Sequence, residues 1–484
     1  MKGDKNGNLP EGWTEVPLLD LLISLESGKR PRGGVRGISE GVPSLGGEHL
    51  NAHGGFNFTN IKYVPEGFAS SMRRGHLQKG DILIVKDGAT TGKVALVGEG
   101  FPFDEAVANE HLFVCRPVER ASPTFLANFL RSPNGQQRVL NHFQGSAQGG
   151  INKTFATGTI VPVPPLAEQR RIVERLDEIE NRRASMDDHL QAARAWLKRL
   201  RKSVPTEACS GRLTAEWRVN NEPDSLAEAL EEKRQSIRTH LGDKEVESQP
   251  MDTGALPDIP ENWCWALLPE LGEMGRGKSR HRPRNDPRLY GGDVPFIQTG
   301  DIARANGRVE HHTQTYNEEG LAQSRLWPTG TVCMTIAANI AQSAILSYPA
   351  CFPDSVVGLV TDPCVALPEY VELFIRTARD DLAAYAPATA QANINLAILG
   401  RVAVPLPPVE EQAEILRLAH LMLAASDSIE AQLEYVNTVL GEATRSTFAK
   451  AFRGELVPTE AELAAEEERD YETAEELLAR VADS

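Results

Sequence analysis

The sequence predicts an α+β protein built from two tandem, pseudo-symmetric copies. Each copy is a mixed α/β head followed by a long helix, and the two helices are expected to pair as an antiparallel coiled coil. Three observations lead there: an internal repeat of very long period, short Val/Ile-rich runs broken by Gly and Asp in the first part of each repeat, and an unbroken heptad of apolar residues in the second. At 484 residues the chain can hold two to four domains with real cores.

The repeat is visible at constant offsets. Leu9-Pro10-Glu11-Gly12-Trp13 returns as Ile259-Pro260-Glu261-Asn262-Trp263, and Gln78-Lys79-Gly80-Asp81-Ile82-Leu83 returns as Pro328-Thr329-Gly330-Thr331-Val332-Cys333, both 250 positions later. The segment from Ala147 through Val161-Pro162-Val163-Pro164-Pro165-Leu166-Ala167-Glu168-Gln169 returns from Ala390 through Val404-Pro405-Leu406-Pro407-Pro408-Val409-Glu410-Glu411-Gln412, at an offset of 243. Ser210-Gly211-Arg212-Leu213 and Arg453-Gly454-Glu455-Leu456 keep that offset. A period this long is not a solenoid repeat but a duplication of a whole module.

Within each head, runs such as Asp81 to Val85 and Lys93 to Val97 read as strands between Gly/Asp turns. The proline-rich stretches Val161 to Pro165 and Val404 to Pro408 are expected to stop strand structure and open a helix, because proline is tolerated in a helix at its first turn and little beyond. Ile172, Leu176, Ile179, Arg183, Met186, Leu190, Ala193, Leu197 and Leu200 then follow 4-3 spacing, and Ile415, Ala419, Met422, Ser426, Ile429, Leu433, Val436, Leu440 and Ala443 repeat it in register. That is a coiled-coil seam. Its two polar positions, Arg183 and Ser426, either face solvent or act as a register device. An antiparallel pairing would put the heads at opposite ends of a rod of about 55 Å between Leu166 and Lys202, at about 1.5 Å per residue.

The expected divisions are a first head at 1–165, a spacer helix at 166–217, an acidic connector with a short helix at 218–258, a second head at 259–405, a second spacer helix at 406–458 and an acidic helical tail at 459–484. The six cysteines are scattered without C-x-x-C or zinc spacing, which supports neither a metal site nor a disulfide framework. No leader-like stretch opens the chain and no run of 18 apolar residues occurs, so a reducing cytoplasm is the expected compartment.

Net charge is −16, which by itself argues against a protein that grips a phosphate backbone. The charge is unevenly placed, however. Residues 218–262, the connector and the start of the second head, carry −6 and the tail −8, whereas residues 1–165 carry +2 and residues 263–405 carry −2. Acidity therefore does not exclude nucleic-acid binding by the heads, and the connector and tail are expected to dock proteins or to solvate the molecule.

Taken together, the paired P-E-G/N-W openings, the K-G-D-I-L strand turn, the helix entries Pro162 to Ile172 and Pro405 to Ile415, and the closing Ala451-Phe452-Arg453-Gly454-Glu455-Leu456 resemble the specificity subunit of type I restriction-modification enzymes, over nearly the whole chain. The resemblance implies two target-recognition domains reading the halves of a bipartite, asymmetric DNA site at a separation set by the helices. It implies partners too: double-stranded DNA, two adenine-methyltransferase subunits carrying S-adenosylmethionine, and a restriction/translocase subunit using ATP and magnesium. This chain itself would hold no cofactor, no catalytic residue and no metal, and would not contact a membrane.

The residues agree that the chemistry lies elsewhere. An amino-methyltransferase needs D/N-P-P-Y/F, but Pro164-Pro165 and Pro407-Pro408 follow Val163 and Leu406. Gly88-Ala89-Thr90-Thr91-Gly92-Lys93-Val94 is one residue short of a phosphate loop and reads as a turn between strands. A rival expectation from another class is a scaffold that presents two protein-binding heads on a coiled-coil rod and touches no DNA.

Phosphate contacts call for Lys and Arg, and base edges for Arg, Asn, Gln and Lys. Three sets of candidates stand out. Basic loops lie at similar positions in the copies, with Lys29, Arg30, Arg32 and Arg36 in one and Arg276, Lys278, Arg280, Arg282 and Arg284 in the other. Polar tracts precede the proline stretches, with Gln148, Asn152 and Lys153 against Gln391, Asn393 and Asn395; a capped turn is their alternative role. The strand turn bears Lys86, Thr90, Thr91 and Lys93, against Asn339 and Gln342. Phe56, Phe58, Trp263 and Trp265 are expected in the core rather than as stacking platforms.

Overall fold

The computed structural model describes residues 9–482 except 52, 120, 146–148, 222–223, 229, 233–234, 236–255, 282, 284, 337–340 and 385–395. Its compact units are not the two linear copies. One unit holds residues 1–191 with 434–484, and the other holds residues 192–433. Each unit thus takes a head, the first half of that head's own long helix and the second half of the other.

In the first unit, a four-stranded antiparallel sheet runs in the order Leu22–Ser27, Leu112–Pro117, Ile82–Val85, Val94–Leu96. The second unit repeats that order with Gly272–Arg276, Val356–Thr361, Val332–Thr335 and Ser343–Leu346, and adds the parallel edge strand Gly307–Val309. A smaller sheet accompanies each: Lys62–Val64 with Val42–Leu45 and Val107–Ala108 in one, Tyr290–Phe296 with Gln314–Tyr316 in the other. The central strands are buried on both faces, which is why they read as continuous apolar runs instead of alternating ones.

The proline-rich stretches end strand structure and open the helices, their own first residues forming the last strand of each head. Ile160–Val163 and Ala403–Leu406 are strands, paired antiparallel with Thr14–Pro17 and Cys264–Leu267. These two-stranded ribbons have free edges that proline can occupy without breaking a ladder. The helices begin after them, at Leu166–Cys209 and Val409–Ala451.

Helix pairing is antiparallel within each unit taken alone. In the first, Ile172 and Leu176 share a core with Phe448, Ala451 and Phe452, while Arg183 meets Leu440 and Thr444. In the second, Ala208 shares a core with Ile415, while Arg201 bridges Asp427 and Glu430. Arg183 does not point to solvent: its Nη1 donates to the Leu440 carbonyl at 3.0 Å and to Thr444 Oγ1 at 2.9 Å. Ser426 is buried, with no hydrogen-bond partner for Oγ among the described residues. Ile172, Leu176, Leu197, Ile415 and Ala419 are buried; Ile179, Leu190, Met422, Leu433 and Leu440 are partly so. The seam is not covered throughout, because Met186, Ile429 and Val436 stay 49%, 41% and 43% exposed.

The repeated motifs prove to be joints. Glu168 accepts Trp13 Nε1 at 3.0 Å and the Glu460 amide at 2.9 Å, and its burial pushes the carboxyl above its ordinary pKa. Glu411 accepts Trp263 Nε1 at 2.9 Å and Thr214 Oγ1 at 2.7 Å, and is ion-paired to Arg218. The following glutamines tie each head's helix to the proline ribbon: Gln169 binds the Ser122 amide and Pro164 carbonyl, Gln412 the Leu367 amide and Pro407 carbonyl. Gly211 and Gly454 end this arrangement at φ of +76° and +72°, where a Cβ would also lie 2.5 and 2.4 Å from Cγ of Pro260 and Pro10.

Nor is the acidic tail a merely solvating segment. Its helices Glu460–Glu466 and Ala474–Ala482 are docked, with Glu460, Ala464, Ala474 and Leu477 buried and the Ala474 amide donating to Gly12 O at 2.9 Å. In the connector, Leu230 is buried in the second unit's core, as Ala474 of the tail is in the first.

Candidate nucleic-acid interface

Both heads build their basic loop on the same joint. The loop leaves the first strand of the sheet through a glycine that admits no side chain: a Cβ on Gly28 would lie 1.8 Å from the Ala108 carbonyl oxygen, and one on Gly277 2.3 Å from that of Phe352. The chain then turns outward into Lys29 or Lys278, and both lysines are exposed. In the first head Arg30, Arg32 and Arg36 are exposed as well, around Gly33 and Gly34, which hold φ of +92° and +82° with open space about them.

Three candidate segments of the first head, far apart in sequence, converge. Arg30 Nε pairs with Glu110 Oε1 at 2.8 Å, and Glu110 lies 3.5 Å from Nε2 of His111. His111 Nδ1 is hydrogen-bonded to Asp87, in the loop after Ile82–Val85. Asp87 bridges to Gly150, and the Ile151 amide donates to the Lys86 carbonyl at 2.7 Å. Lys153 Nζ in turn donates to the Leu25 carbonyl at 2.6 Å, on the strand that leads into the basic loop.

Several candidate side chains have internal work. Asn152 Oδ1 accepts the Thr154 amide at 2.9 Å, a capped turn. Lys93 Nζ donates to the Leu50 carbonyl at 3.0 Å, and Thr91 Oγ1 to the Gly88 carbonyl at 2.7 Å, closing the turn between two strands. Lys86 Nζ lies 5.9 Å from the Phe113 ring centroid, whereas Thr90 is exposed. Gln148 lies outside the described residues. Phe56 and Phe58 form a half-buried cluster with Phe101 and Phe103.

In the second head Arg276 donates twice to the Asp354 carbonyl, at 3.0 and 2.7 Å, and the Gly277 amide donates to the Val356 carbonyl at 2.9 Å. Gln323 Oε1 accepts the Arg280 and His281 amides, and Ser324 Oγ donates to the Lys278 carbonyl, so the loop is held through its backbone. The side chains of Lys278 and Arg280 are thereby left exposed. The Gln342 amide donates to Thr335 Oγ1 at 3.0 Å. Arg282, Arg284, Asn339, Gln391, Asn393 and Asn395 lie outside the described residues.

Arg73 and Arg74 were missed by the sequence reading. They are exposed, make no ion pair among the described residues, and precede Gly75, where a Cβ would lie 2.9 Å from Gly28 Cα at the root of the basic loop. The adjacent dibasic pair was the available signal. Among the described residues no cluster of His, Cys, Asp or Glu could hold a metal ion, and no helix is long and apolar enough to cross a membrane.

A family model for the type I restriction modification DNA specificity domain matches residues 10–192 and again residues 260–434. The EcoKI specificity subunit of Escherichia coli K12 is 27% identical over 462 residues, covering 93% of this chain and 90% of that protein. The StySPI specificity subunit of Salmonella potsdam is 23% identical, with the same coverage of 93% and 90%. In fold, the chain is similar to the HsdS subunit from Thermoanaerobacter tengcongensis, with a TM-score of 0.59 at 18% identity over 93% of this chain and 98% of that one. A chain from a structure concerned with assembly and conformational transition of the type I restriction-modification system gives 0.57 at 20% identity, over 93% and 100%. With two tandem matches of one family model spanning most of its length, this chain belongs to the type I restriction-modification specificity subunits, the non-catalytic DNA-recognition members of their systems.

Proposed function

We propose that each head reads one half of a bipartite, asymmetric DNA site, that the paired helices set the separation of the halves, and that the chain docks two adenine-methyltransferase subunits. Through them it joins a restriction and translocation subunit. The methyltransferases would bring S-adenosylmethionine and the translocase ATP with magnesium. Family membership decides against a scaffold that touches no DNA.

The observation that carries the reading is the shared joint beneath the two basic loops. A glycine that tolerates no Cβ sends an exposed Lys/Arg segment outward at the same strand exit in both heads. Phosphate contacts made there would position each head, and neighbouring residues that differ between the heads would read bases. The net charge of −16 supports modest affinity for the chain alone, with partners supplying further phosphate grip.

Genome-wide mapping of adenine methylation, in cells with and without this chain, tests the proposal. The expected result is a two-part motif with a fixed spacer that vanishes when the chain is removed. Methylation unchanged by removal, or a single undivided motif, would overturn it.

A further inference from the structure

Resting on the reading of the first head's loops as its DNA face, we infer that Asp87 reads the exocyclic amine of a base, cytosine N4 or adenine N6, and that His111 positions its carboxylate. The two heads share a ladder bond beside this point and differ in the residues that carry it. The Lys86 amide donates to the His111 carbonyl at 2.9 Å, and the Ile336 amide donates to the Ser355 carbonyl at 3.0 Å, the same ladder bond in both sheets. On that common frame the first head presents Lys86, Asp87 and His111, and the second Ile336 and Ser355, with Ala337 following in sequence. If the heads read different half-sites, a base-reading difference belongs where a shared frame changes its side chains.

The chemistry narrows the ligand. A carboxylate facing phosphate would be repelled, so a partly exposed one beside Lys86, linked through His111 and Glu110 to Arg30, fits a polyanion-binding surface only opposite a hydrogen-bond donor. In the major groove the donors are the exocyclic amines of cytosine and adenine, and Asp or Glu accepting from cytosine N4 is an established pairing. The geometry leaves an acceptor for it. Nδ1 of His111 engages Asp87 Oδ1, whereas Lys86 Nζ stands 4.0 Å from Oδ2, and the side chain is 34% exposed. Arg30 and Lys86 offset the charge of Glu110 and Asp87, so the cluster approaches DNA without a net anionic face.

The test uses the full chain co-purified with its methyltransferase partner. Duplexes carrying its mapped motif are compared with duplexes lacking one amine at a time, with 2-pyrimidinone for cytosine or purine for adenine. Wild type should lose about tenfold in affinity at one position of one half-site. Asp87→Ala, which leaves no acceptor, should bind the unmodified duplex about tenfold more weakly, lose nothing more when that amine is removed, and methylate a motif relaxed at that position alone. His111→Ala should show a smaller loss at the same position. A sharp second half-site in the relaxed motif shows that the variant is folded. Two results would overturn the inference: a wild-type complex indifferent to every single amine removal, or an Asp87→Ala complex as sensitive to each as wild type. A wild-type chain that directs no bipartite methylation would instead sink the DNA-face reading on which this rests.

Discussion

At the scale of single residues, the division of labour among the cations is decided by partners that local sequence does not reveal. Arg30 is neutralised by Glu110, eighty positions away, so the charge of the basic loop is in part compensated. Lys93 and Lys153 spend their ammonium groups on carbonyls. Lys29, Arg32, Arg36, Arg73 and Arg74 make no ion pair among the described residues. Phosphate grip in the first head should therefore rest on these five. Replacing Arg73 and Arg74 with Ala should weaken DNA binding and reduce the slope of log affinity against log salt by about two, at about 0.9 per lost contact, without altering the preferred motif. A salt titration on specific and scrambled duplexes measures both, and an unchanged slope would remove the pair from the interface. The basic loop and the strand turn were legible because their composition is local. The chain Arg30–Glu110–His111–Asp87 was not, because three strands and their loops must fold before it exists.

At the scale of elements, the most strongly repeated motifs serve the frame rather than DNA. The opening Trp, the Glu-Gln of the helix entry and the closing Gly-x-Leu form one buried joint per unit, and the same logic carries the acidic segments that follow. Their periodicity was readable; that the tail belongs to the joint was not, since its burial depends on Gly12, Trp13 and Arg171, hundreds of positions away. Burial pushes the Glu460 carboxyl up, but Arg171 and Arg469 outweigh it and hold the pKa below the ordinary carboxylate range. A carboxyl with a depressed folded-state pKa stabilises the native state above its unfolded-state pKa, and that contribution is lost as pH falls through the folded value. Glu460→Gln should therefore melt several degrees below wild type at neutral pH, with the gap closing as pH drops below about 4. Melting curves of the two proteins across pH settle it; a constant gap would mean the ion pairs contribute nothing. Truncation after Pro458 should go further, because it uncovers Trp13 and the core beside Leu477, and a red shift of Trp emission reports it.

At the scale of the whole molecule, the duplication and the heptads were evident from sequence, whereas the exchange of helix halves between compact units follows only from antiparallel pairing. That exchange gives the proposed ruler a testable form. A single inserted heptad keeps the 4-3 seam in phase, since seven residues are close to two helical turns. Placed at matching points in both helices, beside Arg183 and Thr444, it should leave each joint intact and add about 10.5 Å, which is about 3 base pairs of DNA. The second head would then advance along the duplex with little rotation of its own, while about 3 base pairs turn the groove through about three-tenths of a helical turn. The inserted protein should accordingly methylate sites whose spacer is about 3 base pairs longer, yet bind them more weakly than wild type binds its own, because DNA or protein must twist to restore phase. Insertion into one helix alone should destroy the pairing and yield no defined spacer. If the doubly inserted protein still methylates the original spacing, the helices do not set the distance between the half-sites.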